Sequence, residues 1–127
     1  MSLRRVCEMQ YKIAVPQERF WDRFVDNETC WANIKVTVDH QTKTMKQRFV
    51  KSNFVKGYKL IAATTKVSDD ESSGLNCIID ITAEYEKSGL EIKDLEEVQF
   101  LVGSIKEAAF LCPARVGDDI PVPVRLK

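Results

Sequence analysis

The side chains best placed to do chemistry lie between Lys35 and Lys66. Eight cations, Lys35, Lys43, Lys46, Arg48, Lys51, Lys56, Lys59 and Lys66, share this stretch with one acid, Asp39, for a formal charge of +7. Lysines and arginines on adjacent strands can follow a phosphate backbone, while Phe54 and Tyr58 offer ring faces on which bases can stack. The chemistry to expect is non-covalent contact with single-stranded or irregular nucleic acid. Lys35, Lys46, Arg48, Lys51, Lys56 and Lys59 would meet phosphates, and Phe54 and Tyr58 would meet bases. The next block, Val67 to Gln99, carries ten acids against two lysines, a charge of −8, so a chain of zero net charge is a strong dipole along its length. Two other uses of the same cations stay open. They can pair with the acidic block inside one molecule, or between subunits of a homo-oligomer, since opposite patches on one surface favour self-association.

Nothing in the chain carries a catalytic signature. The phosphate-loop, dinucleotide, nucleophile-elbow and zinc-protease patterns are all missing from the sequence. His40 lies beside Asp39 with Cys30 ten residues upstream, but that spacing matches no known nucleophile arrangement, and a histidine in a polar turn needs no special role. Asp69-Asp70-Glu71 lacks the glycine and the terminal glutamate of a calcium loop and reads as a solvated hairpin tip. Cys7, Cys30, Cys77 and Cys112 are widely spaced and the chain has one histidine, a poor basis for a zinc site, so four reduced thiols packed as small hydrophobes are expected, with no cofactor. Charges throughout the first twenty residues and the lack of a long apolar run suggest a cytoplasmic or nuclear protein without enzyme activity.

The elements that must position these residues are legible from periodicity. Cys7, Met9, Tyr11, Ile13 and Val15 alternate with more polar residues, the pattern of a half-buried strand. Pro16 then opens a short helix to about Asp26, with Phe20, Phe24 and Val25 on its apolar side and Asn27 as its end. Ile34, Val36 and Val38 alternate up to a turn at His40 to Lys43, and Thr44 begins the returning arm; Lys35, Lys46 and Arg48 then share one surface of this hairpin. Tyr58 to Val67 and Leu75 to Tyr85 form a second hairpin around the polar loop from Ser68 to Gly74. If Val67 faces Leu75, then Ile61, Ala63, Thr65, Cys77, Ile79 and Ile81 are buried, and Tyr58 and Leu60 lie on the opposite face.

Ser88 and Glu91 have capping-box spacing and predict a long helix from about Ser88 to Leu111, with Leu95, Val98, Val102, Ile105, Ala109 and Cys112 as its apolar seam. Pro113 ends it, and Pro121 and Pro123 restrict Ile120 to Leu126 to a tail or edge strand. The expected architecture is one α+β domain over residues 1–127. Its antiparallel sheet has about five strands, with a short N-terminal and a long C-terminal helix packed on one face.

A strand ending in Ile13, Ala14 and Val15, a Pro16 opening a short helix with Phe20, Trp21 and Phe24, then antiparallel strands and a C-terminal helix, resembles the order of the START-like, or helix-grip, ligand-binding proteins. That resemblance implies a small apolar ligand held between the long helix and the sheet. Trp21 and Trp31 would be candidates to line such a cavity. The chain departs from the pattern in having fewer strands between its helices and in continuing past the last helix to Lys127.

Overall fold

The computed structural model describes residues 3–28, 33–113 and 119–127. Its elements are β1 (Arg4–Ile13), α1 (Gln17–Glu28), β2 (Ile34–Asp39), β3 (Thr44–Phe49), β4 (Tyr58–Asp70), β5 (Ser73–Lys87), α2 (Gln99–Phe110) and β6 (Val124–Arg125). The strands form one antiparallel sheet of six in the order β2-β3-β4-β5-β1-β6. The fold is therefore α+β, and the proline-flanked tail does supply an edge strand, two residues long, against Tyr11 and Lys12. β1 pairs with β5 and β2 lies at the far edge, so α1 carries the chain across the sheet.

Alternation sets the inner face. Cys7, Met9, Tyr11 and Ile13 of β1, Met45 of β3, and Cys77, Ile79, Ile81, Ala83 and Tyr85 of β5 are buried with Phe20, Trp21 and Phe24 of α1 in one core. Leu101, Val102, Ile105, Ala108 and Ala109 of α2 join them, and α2 lies against α1. The other face of the sheet carries the exposed alternates. The hairpin turn at residues 40–43 is fastened by Asp39 Oδ1, which accepts the N–H groups of Gln41 (3.0 Å) and Thr42 (3.2 Å). Those bonds hold the Asp39 carboxyl below its ordinary range.

Three expectations need correction. First, α1 runs on to Glu28, past Asn27. Second, β4 and β5 pair four positions away from the expected register: Val67 faces Ile79, Thr65 faces Ile81 and Ala63 faces Ala83. The polar loop is mostly strand, because Asp70 Oδ1 accepts the N–H and the hydroxyl of Ser72 and closes a tight tip. An even slip keeps every side chain on its face, so Ala63, Thr65, Val67, Cys77, Ile79 and Ile81 are inward as expected. A register irregularity between Leu60 and Ala62 then reverses the parity, and Tyr58 and Leu60 pack on the core while Ile61 does not.

Third, the last helix is short. It starts at Gln99 after Val98, which has extended backbone and makes no side-chain cap. The Ser88/Glu91 pair caps nothing because tertiary bonds claim the segment: Ser88 N–H donates to Gly57 O (2.9 Å) and Leu95 N–H to the Tyr85 hydroxyl (2.9 Å). The Tyr58 hydroxyl donates to Lys93 O, and Lys87 Nζ reaches Asp94 Oδ1 at 2.6 Å. Gly57, at φ +92°, turns the chain into β4 with the Ile92 side chain packed on its Cα, a place where any Cβ would strain the backbone.

Candidate functional site

Across β2 and β3, Lys35 stands opposite Arg48 and Thr37 opposite Lys46, all exposed on the outer face of the edge hairpin. Lys66 of β4 extends this patch opposite Thr44. One strand further, β5 sets Asp80 opposite Lys66 and Glu86 opposite Lys59, with Glu84 between. The outer face thus turns from basic to acidic over two strand spacings, about 10 Å. Among the described residues Lys35, Lys46 and Arg48 form no ion pair. The acids of the following block instead meet other cations, with Lys12–Asp70 at 2.9 Å, Lys87–Asp94 at 2.6 Å and Arg125–Glu97 at 3.4 Å. In the basic block, Lys43 pairs with Glu18 at 2.8 Å.

The remaining cations form a separate group around the loop that joins β3 to β4. Lys51 and Lys56 are exposed there, and the Lys59 ammonium sits 5.8 Å from the centroid of the half-exposed Phe54 ring. Tyr58 belongs to neither group. Its ring packs edge-on against Tyr85, 6.0 Å between centroids, and its hydroxyl is bound to Lys93 O.

A cleft opens at the same end of the molecule. Ile34, Phe49 and Leu60 from β2, β3 and β4 and Phe100 from the first turn of α2 wall a volume of about 410 Å3, together with Asn33, Lys51 and Ser52. Phe49 and Phe100 meet edge to face, 5.8 Å between centroids. A second cleft of similar volume beside β6 is lined with Glu8, Glu96, Arg125 and Lys127 and has a much more polar surface. Trp21 is not a cavity wall: it is fully packed, and its Nε1–H donates to His40 Nδ1 at 3.0 Å. Trp31 and Cys30 lie outside the described residues.

Between α1, β3 and α2 lies a polar cluster that periodicity alone overlooks. Glu28, the last residue of α1, has no exposed surface; Gln47 of β3 donates Nε2–H to its Oε2 at 2.9 Å, while its Oε1 has no hydrogen-bond partner among the described residues. Ser104 of α2 is buried as well. A signal for this cluster exists in the sequence: Glu28 falls at i+4 from Phe24 and i+8 from Phe20, on the apolar stripe, and Gln47 sits between Met45 and Phe49 at inward parity. Burial pushes the Glu28 carboxyl up, Ser104 and Gln47 draw it partly back, and the charge of Glu107 raises it further.

The folded state therefore holds the Glu28 proton to higher pH than the unfolded chain does. Its stabilising contribution is complete below the ordinary glutamate range and is lost as pH rises towards the raised value, by about 1.4 kcal/mol per unit. Glu28→Gln is expected to flatten this decline in urea-unfolding titrations above pH 5. An unchanged pH profile in that variant would show that Glu28 does not carry it.

Cys7, Cys77 and Cys112 are free and buried, and burial pushes the Cys77 thiol up to about 12, which makes it a poor nucleophile. Among the described residues no three His, Cys, Asp or Glu side chains gather to hold a metal, and no helix is long and apolar enough to cross a membrane. No family model matches the chain, and no curated protein matches its sequence.

Proposed function

We propose that the protein is a non-catalytic binding module that holds a small, predominantly apolar molecule in the cleft between the ends of β2–β4 and the first turn of α2. The observation that carries this reading is the cleft itself, about 410 Å3, in which four large apolar side chains share the lining with Asn33, Lys51 and Ser52. Small-ligand sites commonly have this size and composition. A molecule covering Ile34, Phe49, Leu60 and Phe100 gains about 25 cal/mol for each Å2 of apolar surface it removes from water. The test is a methyl-resolved NMR titration of the full chain with a short-chain alcohol, read at Ile34 and Leu60.

A second reading is favoured by one specific observation, the unpaired trio Lys35, Lys46 and Arg48 on the outer face. Here a single-stranded nucleic acid crosses the β2–β3 edge and continues past Phe54 towards Lys51, Lys56 and Lys59. Tyr58 contributes packing beneath this track rather than a free stacking face. The acidic row on β5 limits the footprint to that edge, so binding is moderate and steeply salt-dependent. The same bipolar face supports a homo-oligomer in which the basic strip of one copy meets the acidic strip of another, and light scattering at two salt concentrations separates the two.

A further inference from the structure

We propose that the free edge of β2 is a homodimer interface: a second copy of the chain lays its own β2 antiparallel to this one, with Lys35 of each copy opposite Asp39 of the other. The contact is made by the backbone at the rim of the sheet, unlike a meeting of basic and acidic faces, and it does not depend on the cleft. β2 pairs with β3 and has no strand on its other side among the described residues. Val50 N–H donates to Asn33 O at 3.1 Å, one step beyond the Ile34–Phe49 pair, so every second residue from there, Lys35, Thr37 and Asp39, turns its backbone groups to β3. The N–H and C=O groups of Ile34, Val36 and Val38 therefore point out of the sheet edge.

Sheets commonly blunt their edges, and this one does so on one side only. At the far edge β6 is two residues long and follows Pro121 and Pro123, whereas β2 has six residues, no proline and an unbroken register with β3. Self-complementarity selects a second copy as the occupant. In a two-fold antiparallel pair with Thr37 on the axis, Val36 and the partner's Val38 exchange both N–H···O bonds, and Lys35 meets the partner's Asp39 on the outer face. No other two-fold register sets those two charges opposite each other. The pairing also relieves a like-charge contact, because Lys35 stands opposite Arg48 and the partner's Asp39 supplies the missing counter-charge on its other side. On the inner face Val36 and Val38, only partly buried in one copy, cover each other across the seam. α1 packs over β4 and β5, in from this edge, and leaves it open. The Lys46 side chains of the two copies lie three strand spacings apart, about 14 Å, beyond the screening length of about 10 Å at 0.1 M salt.

A single strand seam is smaller than a standard interface of about 1,200–2,000 Å2, so a dissociation constant of about 0.1 mM is expected. The experiment measures amide hydrogen exchange of the wild-type full chain by NMR at about 20 μM and about 1 mM, with sedimentation velocity on the same samples. The Val36 and Val38 amides should exchange about fourfold more slowly at the higher concentration, while the exposed Glu71 amide at the β4–β5 tip does not change. Val36→Pro removes a donor that the chain's own sheet does not use, so it should fold and sediment as the 14.5 kDa monomer throughout. Lys35→Asp sets two like-charge pairs across the axis and should weaken the dimer by at least about fivefold without lowering the melting temperature, since Arg48 gains an acid opposite. This second variant reads the same seam should Val36→Pro not fold. A wild-type chain that stays monomeric at about 1 mM, unchanged Val36 and Val38 exchange in a dimer, or a dimer that survives both substitutions overturns the proposal.

Discussion

Val102→Asp is expected to unfold the protein. Val102 lies in the middle of α2, 4% exposed, among Leu101, Ile105 and Ala109 and the aromatic side chains of α1 in one core. A carboxylate there either stays ionised without a partner or takes up a proton at a cost, and it also loses the apolar contacts of valine. The expected loss is about 4 kcal/mol or more, against a total stability of about 5–15 kcal/mol for a domain of this kind. Lys106→Ala, on the exposed side of the same helix, should change stability by no more than about 0.5 kcal/mol. A thermal transition for Val102→Asp within a few degrees of the parent would show that this seam is not in the core.

The second large effect concerns the outer face. On the polyanion reading, Lys46→Glu/Arg48→Glu replaces two phosphate contacts by two repulsions at successive outward positions of β3. Each lost contact removes about 0.7 from the slope of log affinity against log salt for a single strand, so the pair should flatten that slope by about 1.4. At 0.1 M salt the affinity for a mixed single-stranded oligonucleotide should fall by more than about tenfold in fluorescence polarisation. Both side chains are exposed and unpaired among the described residues, so the melting temperature should stay within a few degrees. Salt-sensitive scattering from an oligomer, with no oligonucleotide binding, would transfer these cations to a subunit interface.

What periodicity could reveal here was the face on which a residue lies. Lys35, Lys46 and Arg48 share a surface, as their alternation implies, because the two-residue repeat of a strand is a local property. Pairing partners are not local. The β4–β5 register depends on where the turn closes, and Asp70 with Ser72 closes it later than the run of polar residues suggests. The parity change at Leu60, which turns Tyr58 away from the surface, leaves no mark in hydrophobic alternation.

The start of α2 departs from its local signal for a different reason. A capping box describes what Ser88 and Glu91 can do alone, whereas in the fold Ser88 is held by Gly57, Leu95 by Tyr85 and Lys93 by Tyr58. These long-range bonds outweigh a local preference worth about 1 kcal/mol. Glu28 was legible in principle, since a charged residue on the Phe20/Phe24 stripe is anomalous. A helix ending at Asn27 leaves Glu28 off that stripe, and only the extension of α1 to Glu28 puts it there. The cleft depends on α2 beginning at Gln99, which puts Phe100 beside Phe49, and no single-segment pattern contains that contact.

The most direct measurement of the central claim is a 1H–13C methyl titration of the isotope-labelled full chain with octanol. Saturable shifts are predicted at the methyls of Ile34 and Leu60, which wall the cleft, with Ile13 and Ile79, deep in the core and remote from it, unmoved. Shifts that never saturate, or that appear instead at exposed side chains such as Val6, Leu75 and Val122, would contradict a binding site between the strand ends and α2.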